Sequence, residues 1–174
     1  MRRVITGDDA TGKSTVIIDD GPSAGFRDLL FAIWEDVASG PQDPRIHDDL
    51  GPRKTVLGPT KGGVQVRWFV VEPRPEAMAA LPKDAVDAAV RGIFAEMGAA
   101  AHVVDQSRHP TMHETPTLDV ICVLQGEVIL VLEDGETLLK PGNVVIQRGT
   151  NHAWQAAPSG PALLLAVLID RSAP

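Results

Sequence analysis

Short apolar runs separated by turns fill the C-terminal part of the chain, and they constrain the fold more than any other feature. The runs are residues 118–124, 127–132, 144–147 and 162–169. Between the second and third runs, Asp134 and Gly135 tolerate the positive φ of a tight hairpin turn. Strands this short, at a spacing of roughly ten residues, predict an all-β sandwich or barrel.

The N-terminal part predicts an arm. Residues 3–6 and 15–18 have the composition of short strands, and a polar glycine loop joins them. Residues 21–60 are rich in Gly, Pro and Asp, with one apolar patch at 29–34, which indicates an irregular segment with one short element. Residues 1–60 are therefore interpreted as an N-terminal arm or extension.

A further strand and one helix are predicted between the arm and the apolar runs. Residues 62–71 form a β-type run with turn residues on both sides. In residues 83–98 the apolar positions recur at helical spacing, between Pro82 and Gly98. We expect an amphipathic helix that packs on the domain surface or on a partner subunit. Residues 61–174 would then be a barrel with one helical insertion.

Length and charge limit the partners. A chain of 174 residues suits one domain with its own core. The formal net charge of -7 repels phosphate backbones, and the absence of Tyr argues against a base-stacking surface, so no nucleic acid is expected. The first residues lack an apolar stretch long enough for a signal peptide or a membrane span, which predicts a cytoplasmic protein with no membrane partner.

Residues 7–14 match the phosphate-binding loop pattern of Gly, four residues, Gly, Lys and Ser or Thr. That motif binds phosphate because its amides and the start of the following helix surround the oxygens. Here the β-branched residues 16–18 follow, which is typical of a strand, and Asp8 and Asp9 would place negative charge beside a triphosphate. We predict a glycine hairpin loop and no nucleotide at Gly7–Ser14.

Two histidines and one aspartate are candidates for metal binding. His113 and Asp119 are an even number of residues apart, so in an extended chain they face the same side. His152 follows a turn, and Trp154 shares its parity. If the two segments are neighbours, two imidazoles and a carboxylate converge, a set that suits iron, manganese, nickel or zinc. The alternative is that each histidine is a hydrogen-bonded residue at a strand end.

Residues 113–127 resemble the first motif of the cupin superfamily, a group of small double-stranded β-helix barrels. That motif runs His, any residue, His, three or four residues, Glu, six residues and Gly. In this chain His113 stands at the first His, Thr115 at the second, Asp119 at the Glu and Gly126 at the Gly.

Residues 141–154 resemble the second cupin motif. Pro141, Gly142 and Asn143 stand for its Pro-Gly-Asp, and residues 147–152 stand for Pro-x-Gly-x-x-His, with Gln147 in place of the Pro. The segment is similar to a subgroup of single-domain bacterial cupins, the cupin type-2 conserved barrels, most of which have no assigned function.

The resemblance implies one cupin domain over residues 1–174, a jelly-roll barrel, with His113, Asp119 and His152 as metal ligands. Thr115 replaces a ligand histidine, so at most three ligands remain, and one divalent ion (Fe, Mn, Ni or Zn) would be weakly held or lost. The residues that would shape the substrate pocket are Thr115, Gln147 and Trp154.

The expected function is binding of a small molecule, in one of two forms. The first is a metal-dependent enzyme, an oxygenase, isomerase, lyase or decarboxylase, acting on a small organic acid or related metabolite. The second is a non-catalytic binding or sensing cupin without metal. Cupins commonly form homodimers, and strands in residues 2–18 suit that contact, because pairing across a two-fold axis covers an exposed edge.

Overall fold

The computed structural model describes residues 1–22, 24–37 and 56–172. The strands in these ranges are β1 (Arg3–Asp8), β2 (Ser14–Asp20), β3 (Ala24–Phe26), β4 (Leu30–Val37), β5 (Gly63–Val71), β6 (Thr117–Gln125), β7 (Val128–Leu132), β8 (Glu136–Leu139), β9 (Val144–Gln147), β10 (His152–Ala156) and β11 (Ala162–Asp170). The helices are α1 (Glu76–Ala79), α2 (Lys83–Glu96) and a 3₁₀ turn (Ala100–His102). The predicted all-β class is confirmed.

The strands form two facing sheets and a separate hairpin. The larger sheet has six strands in the order β3-β4-β5-β11-β6-β9, and the smaller has three in the order β10-β7-β8. From β6 onward the chain passes repeatedly between the two sheets, and its neighbouring strands run antiparallel. This winding is the expected double-stranded β-helix.

The core lies between the sheets because β6 and β11 bury alternate residues. Leu164 and Val123, on these strands, are among the most completely buried side chains, and Val128 of the smaller sheet faces the same cluster. Burial of an aliphatic side chain of this size contributes roughly 1.5–3 kcal/mol. The core thus fixes which side chains of the large sheet point inward, including the polar ones.

Helix α2 confirms the predicted insertion and packs beside the barrel. Val86, Val90 and Phe94 are buried on one face, in a cluster that also includes Leu30 of β4. The helix ends where Gly98 adopts a φ of 70°, and the amides of residues 98 and 99 close the last turn onto the carbonyls of residues 95 and 94.

The segment before residue 60 differs from the predicted irregular arm. Residues 24–37 form two strands of the large sheet, and Leu30–Val37 pairs along β5. Arg27 and Asp28 make the turn between β3 and β4, with φ values of 51° and 55°. Because the loop contains no glycine, the hairpin lacks the Asn-Gly or Asp-Gly pair that marks such turns in a sequence. Residues 38–55, which make up most of the Gly- and Pro-rich stretch that follows, lie outside the described residues.

The loop that matches the phosphate-binding pattern is a hairpin. Asp8 of β1 pairs with Ser14 of β2, and the Asp9 carboxylate accepts hydrogen bonds from the amides of Thr11 (2.8 Å) and Lys13 (3.0 Å). The predicted hairpin loop is confirmed, and the absence of a nucleotide stays a prediction. Within the described ranges, no helix has both the length and the apolar character needed to cross a membrane.

Candidate functional site

A single β-bridge brings the two predicted ligand histidines together. The His113 amide donates to the His152 carbonyl (2.9 Å), and the His152 amide donates to the His113 carbonyl (3.0 Å). Residues paired in this way project their side chains to the same side. The two imidazole rings are therefore neighbours, with centroids 4.5 Å apart and planes inclined at 43°.

Backbone carbonyls orient both rings. The Nδ1 atom of His113 lies 2.9 Å from the Thr111 carbonyl oxygen, and that of His152 lies 2.9 Å from the Thr150 carbonyl oxygen. Since a carbonyl can only accept, each Nδ1 is the donor. In the neutral ring, Nε2 then keeps its lone pair, which is how metal-ligating histidines are commonly held.

Burial keeps these imidazoles neutral. It lowers the pKa of His113 to about 3, an effect to which the nearby His152, His102 and Arg67 add and which the Thr111 carbonyl opposes. Burial also lowers the pKa of His152, against the effect of its own carbonyl partner. The neutral form is the one that binds metal ions.

Asp119 lies on the interior face of β6, which is next to the edge strand β9 of the large sheet. Its cross-strand neighbours are Gln147 of β9 and Leu168 of β11. The side chain is buried and its Oδ1 atom has no hydrogen-bond partner. Burial raises the pKa of Asp119, whereas the Thr117 hydroxyl and the charge of Arg67 lower it.

The structure therefore brings together two of the three predicted ligands. Across residues 1–22, 24–37 and 56–172, no three His, Cys, Asp or Glu side chains form a group that could hold a metal ion. The bridge places His113 and His152 beside the smaller sheet, whereas Asp119 belongs to the larger one. A metal site with three ligands, His113, Asp119 and His152, therefore stays a prediction.

The three residues predicted to shape the pocket have well-defined surroundings. The Thr115 hydroxyl is buried and lies 2.7 Å from that of Thr117. The Gln147 amide donates to the Thr150 carbonyl (2.9 Å), so it braces the loop that leads to His152. The centroid of the Trp154 ring lies 5.8 Å from that of His152 and 5.9 Å from that of Phe69. Their contact with a substrate stays a prediction.

Sequence reasoning missed two polar residues of β5. Gln65 and Arg67 alternate with Val64 and Val66, a pattern that usually marks a solvent-facing side. In the structure Gln65 and Arg67 are the buried ones. The sequence held one sign that this face could be buried. Val71 has the same parity as Gln65 and Arg67, so both faces of β5 carry apolar residues.

The sequence matches fungal proteins over part of its length. Phomopsin biosynthesis cluster protein D of Diaporthe leptostromiformis is 45% identical over 67 residues, covering 37% of this chain and 35% of that protein. The cupin-domain-containing oxidoreductase fogC of Aspergillus ruber is 31% identical over 85 residues, covering 45% and 42%. The chain spans about a third of the length of the first curated relatives that it matches. No protein-family model matches it.

Solved structures give distant likenesses. The Cupin 2 conserved barrel domain protein from Salinispora arenicola has a TM-score of 0.37 and 14% identity, covering 62% of this chain and 63% of that one. A cupin family protein with a double-stranded β-helix fold from Methanocaldococcus jannaschii has a TM-score of 0.38 and 16% identity, covering 62% and 71%. The curated relatives support the cupin superfamily, and, being fungal, they give no support to the predicted bacterial subgroup.

Proposed function

We propose that this chain is a metal-dependent enzyme of the cupin type that acts on a small metabolite, with His113 and His152 as ligands of one divalent ion. One observation carries the proposal: two buried, neutral imidazoles lie side by side, each with its Nδ1 bound to a carbonyl. With Nδ1 held by a carbonyl, the lone pair of each neutral ring lies on Nε2, the atom that would bind the ion.

Asp119 is the proposed third ligand. Its Oδ1 atom is buried without a partner, which is costly for a carboxylate unless something else compensates it. When bound, a divalent ion would supply Lewis-acid polarisation and an open position for substrate. The chain's own residues would orient the imidazoles and exclude water from their surroundings.

The relatives favour one reaction class. Two of them, fogC and srdB, are described as cupin-domain-containing oxidoreductases, and others are named for the biosynthesis clusters of phomopsins and oryzines. We therefore place oxidation of a small organic acid or related metabolite before isomerisation, elimination or decarboxylation.

A non-catalytic binding protein is the second candidate. The absence of a three-donor group among the described residues favours it, as does Thr115, whose hydroxyl stands where the cupin motif has a histidine and bonds to Thr117 instead. In that case the same interior would bind a small molecule without metal.

Metal analysis separates these two candidates. Untagged protein is equilibrated anaerobically with Fe(II), Mn(II), Ni(II) or Zn(II), desalted and analysed by mass spectrometry. We expect one ion per chain for the wild type and for the control variant His109→Gln, and loss of the ion in His113→Gln and in His152→Gln. No bound ion in the wild type, or equal retention in all variants, would favour the binding protein.

We also propose a homodimer that forms through the β1–β2 hairpin. Val4 and Val16 on this hairpin are about half exposed, so it presents apolar surface to solvent. Analytical ultracentrifugation should show a dimer that dissociates in Val16→Lys. A wild-type monomer at high concentration would contradict the proposal.

A further inference from the structure

Arg67 lies inside the molecule with small neighbours on either side. It is 4% exposed and occupies the interior face of β5. Its cross-strand neighbours are Ala32 of β4 and Ala166 of β11. Both are alanines, so neither cross-strand neighbour offers the guanidinium group a side-chain hydrogen-bond acceptor.

The hydrogen bonding of Arg67 is incomplete. Its Nη2 atom donates to the Leu57 carbonyl, and its buried Nε atom has no partner. Among the arginines and lysines of the described residues, Arg3 and Arg67 are the two that are buried, and they differ in their partners. The Arg3 guanidinium binds both carboxylate oxygens of Asp20, at 2.6 and 3.2 Å, whereas Arg67 forms no ion pair with any described residue.

Nearby carboxylates do not replace such a pair. Asp119 and Glu35 raise the pKa of Arg67, but burial lowers it to about 10, so the group stays charged at neutral pH. The Glu35 carboxylate already accepts a hydrogen bond from the Thr60 amide, at 2.9 Å. A buried charge without a contact partner is costly, and a bound anion would offset that cost.

The interior face of β5 lies next to the histidine pair, because the ring of Phe69, two residues after Arg67, lies 5.9 Å from that of Trp154, which in turn lies 5.8 Å from that of His152. Gln65, two residues before Arg67 on the same face of β5, also has an unpartnered buried atom, Oε1. The interior face of β5 therefore offers one donor with positive charge and one neutral acceptor near the candidate site.

We propose that Arg67 binds the carboxylate of a small organic acid, with Nε donating to one oxygen, and that Gln65 Oε1 accepts a hydrogen bond from the same ligand. A single guanidinium matches one carboxylate in charge and in planar geometry. A phosphate dianion would need a second cation, and no other buried arginine or lysine of the described residues lies on β5. The proposal rests on the proposed function in placing the ligand beside the histidine pair, but it needs no metal.

The test measures binding of simple acids by calorimetry. The probes are acetate, succinate and benzoate, each compared with its amide, and inorganic phosphate. We expect at least one acid to bind the wild type more tightly than its amide does. Arg67→Met should weaken that binding roughly tenfold to a hundredfold, as expected for loss of a hydrogen bond between charged groups. The exposed control, Arg171→Met, should bind as the wild type does.

Stability separates a ligand-binding role from a structural one. Added acid should raise the unfolding temperature of the wild type and leave that of Arg67→Met unchanged, because a ligand stabilises only a folded state that binds it. Arg67→Lys keeps the charge but loses the planar fork, so it should bind the acid less tightly than the wild type. Unchanged acid binding in Arg67→Lys, no preference for acids over amides, or tighter binding of phosphate would each overturn the proposal.

Metal content of the same samples distinguishes the two proposals. Acid binding that depends on Arg67 in a wild type that holds no metal would remove the proposed enzyme and support the carboxylate site. Metal bound through the histidines, without preference for acids, would overturn the carboxylate site alone.

Discussion

The ring of Phe94 on α2 lies 5.0 Å from the His113 imidazole, centroid to centroid, with the planes inclined at 55°. The inserted helix therefore contacts one of the two site histidines directly. This contact gives the insertion a role beyond packing, because it helps to exclude water from His113.

Shortening Phe94 should disturb both the helix and the site. Phe94 is buried, so Phe94→Ala should lower the free energy of unfolding by about 3–5 kcal/mol. The ring protons of His113 should also shift in the NMR spectrum. Val86→Ala, on the same buried face, is the control: it should reduce stability and leave the His113 signals in place. Equal shifts in both variants would show that the helix acts on the site only as a whole.

Three turn glycines should differ in their tolerance of alanine. Gly142, Gly149 and Gly126 all have positive φ, which costs a side chain about 1–2 kcal/mol. A Cβ at Gly142 would meet nothing within 4 Å, one at Gly149 would lie 3.0 Å from the Thr115 carbonyl oxygen, and one at Gly126 would overlap the Pro161 carbonyl. Urea unfolding should rank the losses in that order. Equal losses of stability would mean that the positive φ alone, and not the contacts of the added Cβ, determines the cost of each substitution.

The Asp9 carboxylate should stabilise its hairpin loop only when it is ionised. The Thr11 hydroxyl, and then the loop amides, hold the pKa of Asp9 below its ordinary value of 3.8. The stability that the ionised carboxylate contributes is therefore fully present above pH 3.8. It is lost as the pH falls through the lower pKa that Asp9 has in the folded state. Asp9→Ala should weaken the amide protection of Thr11 and Lys13 near neutral pH, and this difference should disappear as the pH falls through the folded value. A titration midpoint at or above 3.8 would contradict this.

Restoring the histidine of the cupin motif should strengthen the proposed metal site. A neutral hydroxyl is a poor ligand beside imidazole, so Thr115→His should retain more divalent metal than the wild type after mild chelation. Thr137→His, which adds a histidine at an exposed position of β8, should behave as the wild type does. Equal retention in all three folded proteins would show that residue 115 is not at a ligand position.

Most of the barrel could be predicted from local patterns. Residues 144–147 were predicted as a strand with the bounds observed, and α2 differs by two residues at its end. Periodicity works there because each element buries one side against the core. The β3–β4 hairpin could not be predicted, because Arg27 and Asp28 form its turn with positive φ and without a glycine to indicate it.

The site was predicted in part for a similar reason. His113 shares its parity with Asp119, and Trp154 shares its parity with His152, but parity does not measure the distance between the two segments. Apolar residues on both faces of β5 left the burial of Arg67 undecided, because it depends on how the neighbouring strands β4 and β11 cover this strand. Such information exists only in the assembled fold.

The bridge between His113 and His152 also has a kinetic consequence. It closes a loop of about 40 residues, and closing a loop costs chain entropy before the contact forms. Because β6 to β9 separate the two histidines along the chain, a single hairpin cannot form the pair. Native spacing of the rings should therefore appear late in refolding, with barrel closure, and ligand affinity would report the completion of folding.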